Sequence, residues 1–260
     1  MHPTLRIGVL VCDRETDELV AKYGTYDDLF ARLFRLARPD LPVAITALDA
    51  EHGELPATPG DFDALVITGS RWSAAADDLP WVVALRHFVQ RVHAEQSTRL
   101  IGICFGSQLL AVALGGAVGD NPQGWEAGLT EITLAPAVAA MTGRRTMWIQ
   151  QAHGEAVLTV PPECAVLGAS DRCAVQGFYM PGRLLTSQCH PEFHAAFNEE
   201  MIAWMNEHAM GDHPVAFSPL RGEGDALWWG AQLLHFAQHG TFSSESWSHA
   251  PAVVKPIPTA

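Results

Sequence analysis

Residues 99–110 read Arg99-Leu100-Ile101-Gly102-Ile103-Cys104-Phe105-Gly106-Ser107-Gln108-Leu109-Leu110, and this stretch decides the fold. Arg99–Ile103 is a short apolar run suited to a buried parallel strand. Phe105–Leu114 follows at helical spacing and stops at Gly115-Gly116, a natural helix end. Cys104 sits at the junction in a G-x-C-x-G pattern, the signature of a sharp strand-to-helix turn that lifts a nucleophile out of the top of a sheet. The glycines serve a tight turn and a close backbone approach. A cysteine at a helix N-terminus is favoured as the thiolate by the helix dipole and the free N–H groups. The Phe105 N–H would point at an oxyanion formed on attack.

Outward from this turn, the first half of the chain alternates strand-like and helix-like segments. Leu5–Cys12, Val43–Leu48 and Phe62–Thr68 read as strands, and Pro39 and Pro42 break the chain before the second. Tyr26–Ala37, with Leu29, Phe30, Leu33, Phe34 and Leu36 as its apolar face, and Trp81–Val92 read as helices. Such alternation predicts an α/β fold, an open, mostly parallel sheet with helices on both faces. Ligands of such sheets bind at the carboxyl ends of the strands, which selects Gly69-Ser70 and Cys104. After Gly119 shorter strands are expected at Leu129–Leu134, Thr146–Ile149, Ala156–Val160, Ala174–Tyr179 and Arg183–Cys189. Helices follow at Phe193–Met210 and Ala226–Gln238. The expected organisation is one domain over residues 1–240 and a Ser/Pro-rich tail over 241–260, loose or packed on a neighbour.

Composition narrows the function classes. The chain has 260 residues and a formal charge of −13 with no basic run, which argues against nucleic acid and anionic membrane surfaces as partners. No stretch approaches the roughly 18 apolar residues of a membrane span. The five cysteines are odd in number and lack CxxC spacing, as in a reduced, cytoplasmic protein with free thiols. Cys12, Cys164 and Cys173 lack the context of Cys104 and read as structural.

The segment Gly102–Leu110, GICFGSQLL, resembles the nucleophile elbow of the class I glutamine amidotransferases. Ser187-Gln188-Cys189-His190-Pro191-Glu192-Phe193, about 85 residues on, resembles that family's second signature, in which H-P-E supplies the other triad members. The resemblance spans roughly residues 5–210 and implies a flavodoxin-like fold and a catalytic triad of Cys104, His190 and Glu192. Glu192 would hold the imidazole tautomer while His190 serves as base. The N–H groups of Phe105 and Gly69 would form the oxyanion hole, with Ser70 beside them. The resemblance further implies that Gln108 contacts the glutamyl moiety, or is otherwise a buried helix glutamine. It implies that Glu126, in Gly124–Gly128, holds the α-ammonium of a γ-glutamyl group. His153 and Gly154, in an H-G-E segment, would line the pocket; a plain loop histidine is the alternative. Ser107 departs from the family's usual histidine, and Cys189 stands close enough to be a second thiol in the pocket.

No metal or other cofactor is called for. The implied substrate is a small γ-glutamyl amide or glutamine. Tyr23-Gly24-Thr25-Tyr26, after Cys12-Asp13, resembles the free-standing, γ-glutamyl-peptidase-like branch, which favours a hydrolase of γ-glutamyl amines or peptides. The alternatives are a glutaminase that supplies ammonia to a partner synthase and a non-catalytic relative. Trp72 and Trp125 are candidates to wall an apolar leaving-group pocket, with core packing as the alternative. A homo-oligomer is left open.

Overall fold

The computed structural model describes residues 3–208, 215–218, 220–245, 247 and 255–256. Strand β1 (Leu5–Val11) is followed by helix α1 (Asp17–Tyr23), whose N-terminus is capped by the Thr16 hydroxyl accepting from the Leu19 N–H. Helix α2 (Tyr26–Ala37) starts at Thr25 in a capping box with Asp28, and its Leu29, Phe30, Leu33 and Phe34 are buried. Leu36, expected on that apolar face, is instead 41% exposed, because the helix turns it away from the sheet. Strand β2 (Val43–Asp49), strand β3 (Ala64–Ile67) and helix α3 (Pro80–Glu95) come next. Strand β4 (Arg99–Ile103) then runs through Cys104 into helix α4 (Phe105–Ala113).

In the second half, β5 (Ala117–Asp120), β6 (Glu126–Leu134), α5 (Pro136–Thr142), β7 (Thr146–His153) and β8 (Glu155–Thr159) precede the short strands β9 (Ala165–Val166) and β10 (Gly168–Ala169). The chain then forms β11 (Phe178–Met180), β12 (Leu184–Ser187), α6 (Ala195–Glu207) and α7 (Ala226–His239). The strand expected over Ala174–Tyr179 is shortened to β11, since Gly177 at φ 145° brings its backbone against the Thr186 carbonyl, where a Cβ would lie 2.3 Å from that oxygen. The helix expected from Phe193 begins two residues later at Ala195, behind the His194 cap. Positions 209–210 of that expected helix lie outside the described residues.

The main sheet has seven strands in the order β2-β1-β3-β4-β12-β11-β9. Its members from β2 to β12 are parallel, and β11 and β9 complete it antiparallel. The parallel portion has the flavodoxin-like order, with the first strand central and successive strands added to both sides of it. On one face α2 and α7 pack against the sheet, joining Phe30, Leu33 and Phe34 to Trp229, Leu233 and Leu234. On the other, α3 and α4 join Val82, Leu85 and Phe88 to Phe105, Leu109 and Leu110. The antiparallel β10-β6-β7 sheet and the β5–β8 pair lie outside this frame and bring residues 153–155 to the site. Among the described residues no helix is long and apolar enough to cross a membrane.

The tail was expected to be loose or packed on a neighbour, and its start instead packs on its own chain. Phe242 is buried against Tyr179, Trp229 and Phe236, and the Ser243 backbone exchanges two hydrogen bonds with Gln232. Lys255–Pro256 pairs antiparallel with Leu220–Arg221 of the same chain. The remainder of 246–260, Trp247 apart, lies outside the described residues.

The elbow requires its glycines. A Cβ on Gly106 would lie 2.2 Å from the Ile67 carbonyl oxygen, and one on Gly102 would lie 2.5 Å from the Gly106 oxygen. Both obstacles are backbone in buried elements and neither can swing aside. Gly106→Ala is therefore expected to lower stability by more than about 3 kcal/mol in urea unfolding. Gly143→Ala, at an open helix end, is expected to cost only about 1–2 kcal/mol from its left-handed φ.

Candidate active site

Cys104 adopts φ 51° and ψ −106°, a conformation that side-chain-bearing residues rarely take. Its N–H donates to the Ser187 carbonyl at 2.8 Å, and the Gly106 N–H donates to the Thr68 carbonyl at 3.1 Å. The end of β4 is thereby fastened on one side to β12 and on the other to the end of β3. The strained turn leaves Cys104 only 6% exposed at the floor of a cavity of about 490 Å³.

His190 enters from the end of β12. It is 3% exposed, and its Nδ1 lies 2.8 Å from Glu192 Oε1. The ring stacks on Phe193 with centroids 4.0 Å apart and planes 5° from parallel. Its side chain is in hydrogen-bonding contact with Cys104. With a carboxylate on Nδ1, the imidazole presents Nε2 to the thiol. Burial opposes a charge on this ring, but the Glu192 carboxylate and the Cys104 thiolate on either side outweigh it and push the His190 pKa up to about 10. Gln188 Nε2 donates to Cys104 Sγ at 3.4 Å. The Cys104 sulfur thus stands between an imidazole and an amide donor, the setting in which a base can activate a cysteine nucleophile.

The expected oxyanion donors lie next to the thiol. Phe105 is the first residue of α4, so the helix leaves its N–H without a partner. Gly69 lines the cavity, and a Cβ there would lie 2.8 Å from His190 Cε1 and 3.7 Å from the Cys104 Cβ, so only glycine fits. The Thr68 hydroxyl accepts from the Cys12 N–H and donates to the Gly69 carbonyl, which fixes this loop to the end of β1. Ser70 and Gly154 both line the cavity, Gly154 with Trp125 packed where a Cβ would stand.

Three expectations need correction or refinement. Glu126 is not on the cavity wall. It is 3% exposed and its carboxylate accepts from Ser170 at 2.6 Å, Gln176 at 2.7 Å and His153 Nε2 at 3.0 Å, so it has no free face for a substrate ammonium. Burial would raise its pKa, but the Ser170 and Gln176 donors and the neighbouring His153 ring outweigh it and hold it low. Cys189 is not a pocket thiol: it is fully buried in the core with Sγ 2.7 Å from Ser187 Oγ, and burial pushes its pKa up. Gln108 reaches the wall, but its amide nitrogen is engaged by the Glu155 carbonyl at 3.0 Å and Gln188 Oε1 at 3.3 Å, so it aligns the Gln188 amide that faces the sulfur. His153 lines the cavity as expected, with Nδ1 donating to the Glu155 carbonyl and Nε2 facing Glu126. Ser107 is fully buried and its hydroxyl finds no partner.

Other wall residues were not anticipated. Asp13 and Glu15 follow β1, and Asp13 grips both the Arg71 backbone N–H at 2.8 Å and its guanidinium Nε at 2.9 Å. Leu19, Met201, Trp204 and Met205 form an apolar wall with Trp125. The signal for Asp13 and Glu15 was their place directly after a parallel strand, the same rule that selected Gly69 and Cys104. Among the described residues the one group with metal-ligand spacing is Glu126, His153 and Cys173, whose ligand atoms lie within 4.8 Å of one another. In that group Glu126 and His153 already bond each other, and the Cys173 thiol points to the Val175 carbonyl.

The glutamine amidotransferase class-I family model matches residues 36–205, and the chain belongs to that family. It is 31% identical over 206 residues, covering 75% of this chain and 82% of the relative, to a glutamine amidotransferase-like protein of Schizosaccharomyces pombe. It is 28% identical to gamma-glutamyl peptidase 3 of Arabidopsis thaliana, covering 76% of this chain and 80% of that one. A crystal structure of a glutamine amidotransferase from Thermotoga maritima shares the fold at a TM-score of 0.64 and 21% identity, over 80% of this chain and 84% of that chain.

The thiols separate by environment. Burial pushes Cys12 and Cys189 far up and Cys164 and Cys173 up to about 11, while Cys104 alone has His190 and Gln188 beside its sulfur. Iodoacetamide at pH 7 is expected to alkylate Cys104 at least about tenfold faster than any other cysteine. Glu192→Gln is expected to slow that reaction. Peptide mapping by mass spectrometry reads both.

Proposed function

We propose that this protein is a cysteine hydrolase that cleaves a γ-glutamyl amide bond and releases glutamate through a γ-glutamyl thioester on Cys104. The observation that carries the reading is the linked set of Cys104, His190 and Glu192, opening on a cavity far larger than the thiol needs. In the proposed reaction the substrate γ-carbonyl lies between the N–H groups of Phe105 and Gly69. The Cys104 thiolate attacks, and the oxyanion is met by those two donors. His190, held by Glu192, donates its proton to the departing nitrogen. Water then attacks the thioester carbonyl, His190 accepts its proton, and the thiolate leaves as glutamate is released.

The same cavity supports a substituted amide rather than glutamine. Its volume of about 490 Å³ lies in the range of pockets that enclose ligands well beyond a single amino acid. Trp125, Trp204, Met201 and Met205 give it an apolar wall, and methionines adapt to varied shapes. Tyr26 of the YGTY element lines the cavity and stacks on Phe193, so that element belongs to the site. The likeness to gamma-glutamyl peptidase 3 supports the same substrate class. The leaving group is accordingly an amine or amino acid with an apolar substituent. The five free thiols are in keeping with a reducing, cytoplasmic setting.

Glutamate release from γ-glutamyl anilide and γ-glutamyl-phenylalanine is expected to exceed release from glutamine by about tenfold or more in kcat/KM, the scale set by filling an apolar pocket. Cys104→Ala is expected to abolish it. Release from glutamine alone, or only after a synthase is added, would assign the chain to ammonia supply instead.

A further inference from the structure

One carboxyl on the cavity wall has no task in this reaction. Glu15 lies between β1 and α1, is 8% exposed, and lines the cavity with Cys104 and His190. Its Oε1 is buried and has no hydrogen-bond partner. The other wall carboxylates are matched: Asp13 holds the Arg71 guanidinium and the Arg14 and Arg71 N–H groups, and Glu155 accepts from the Ser73 hydroxyl at 2.9 Å. The titratable groups facing Glu15 are the acids Asp13, Asp27 and Glu192, with the Tyr26 phenol nearby. Of the arginines on the wall, Arg71 is committed to Asp13 and Arg14 pairs with Asp17 at 3.4 Å. Burial first, and then these acids, push the Glu15 pKa up to about 8, so the free protein carries it uncharged at neutral pH.

The other carboxyl oxygen has the Glu15 backbone N–H, but a buried oxygen without a partner is costly, and a ligand that completes it accounts for its place on the wall. The missing complement is a cation with hydrogen-bond donors. In a γ-glutamyl group the ammonium stands three carbons from the γ-carbonyl, about 5 Å when extended. Glu15 lines the same cavity as Cys104 and His190.

Resting on the γ-glutamyl reading above, we propose that Glu15 receives the α-ammonium of the substrate and selects γ-glutamyl amides against glutaryl amides that lack the amine. Binding converts a neutral carboxyl into one half of an ion pair. Below about pH 8 it therefore releases a proton, and affinity rises as pH climbs toward that value while the ligand amine stays charged.

The test is calorimetric and needs no turnover. Cys104→Ala and the double variant Cys104→Ala/Glu15→Gln are titrated with γ-glutamyl anilide and with glutaric acid monoanilide, which differs only in lacking the α-amine. The single variant is expected to bind the γ-glutamyl compound about tenfold or more tighter, the scale of a hydrogen bond to a charged group. In the double variant the two affinities are expected to converge, and proton release at pH 7, read from buffers of different ionisation enthalpy, is expected to vanish. Thermal melting of the double variant at or above the single variant's temperature shows an intact fold. Equal weakening of both compounds, undiminished discrimination in the double variant, or no binding of γ-glutamyl anilide overturns the assignment. A protein that binds as expected but hydrolyses no γ-glutamyl amide overturns the proposed reaction and leaves the role of Glu15 standing.

Discussion

Cys104 is held at φ 51° because two backbones close on it. Above it the Gly106 N–H is drawn to the Thr68 carbonyl, and beside it the Cys104 N–H is drawn to the Ser187 carbonyl. Such a conformation stores of order 1–3 kcal/mol and persists only where the surroundings over-determine it. Here the surroundings are the ends of β3 and β12, so the strain ties together the loops that carry Gly69, Cys104 and His190. If the turn relaxed, the sulfur, the Phe105 N–H and the Gly69 loop would separate together. The glycines at 102 and 106 are thus a condition of the whole site.

The sheet explains the position of these groups and the added strands explain their environment. β6 and β7 pair Glu126 with His153 across the ladder, and Gln176 and Ser170 close around the carboxylate. That buried knot stiffens the wall opposite the elbow. α6 covers the other side: Phe193, just before it, stacks on His190, and Asn198 within it bonds Gln150 and the Gln151 carbonyl. His190 itself hangs on the Gln150 carbonyl through its N–H. Imidazole orientation and cavity wall are therefore set by one packed unit.

The parallel frame and the elbow were legible because each rests on local signals: apolar runs of strand length, helical spacing, and glycines where a Cβ cannot fit. Tyr26–Ala37 and Arg99–Ile103 have the bounds read from sequence. What failed depends on pairing across the chain. Glu126 looked available to a ligand because its local sequence is a glycine-flanked loop, yet β6 starts at that residue and turns it inward toward His153. Short elements such as β5, α5 and β9 carry too few residues for a period to show. Phe242 sits in a segment of tail-like composition, and its burial comes from a hydrophobic gap beside Trp229 that no local pattern announces.

Charge in the cavity follows from the same crowding. Glu192 favours a proton on His190, and it also favours a proton on Glu15, since its negative charge opposes another carboxylate nearby. The two consequences serve different ends. A protonated His190 puts a proton donor beside the Cys104 sulfur, whereas a protonated Glu15 spares that side of the cavity a further negative charge. Arg71 cannot relieve the excess, because Asp13 already holds it and that bond fixes the loop bearing Gly69. A cation brought in with the substrate would complete Glu15, so the acids that tune the nucleophile also make the cavity receptive to an amine.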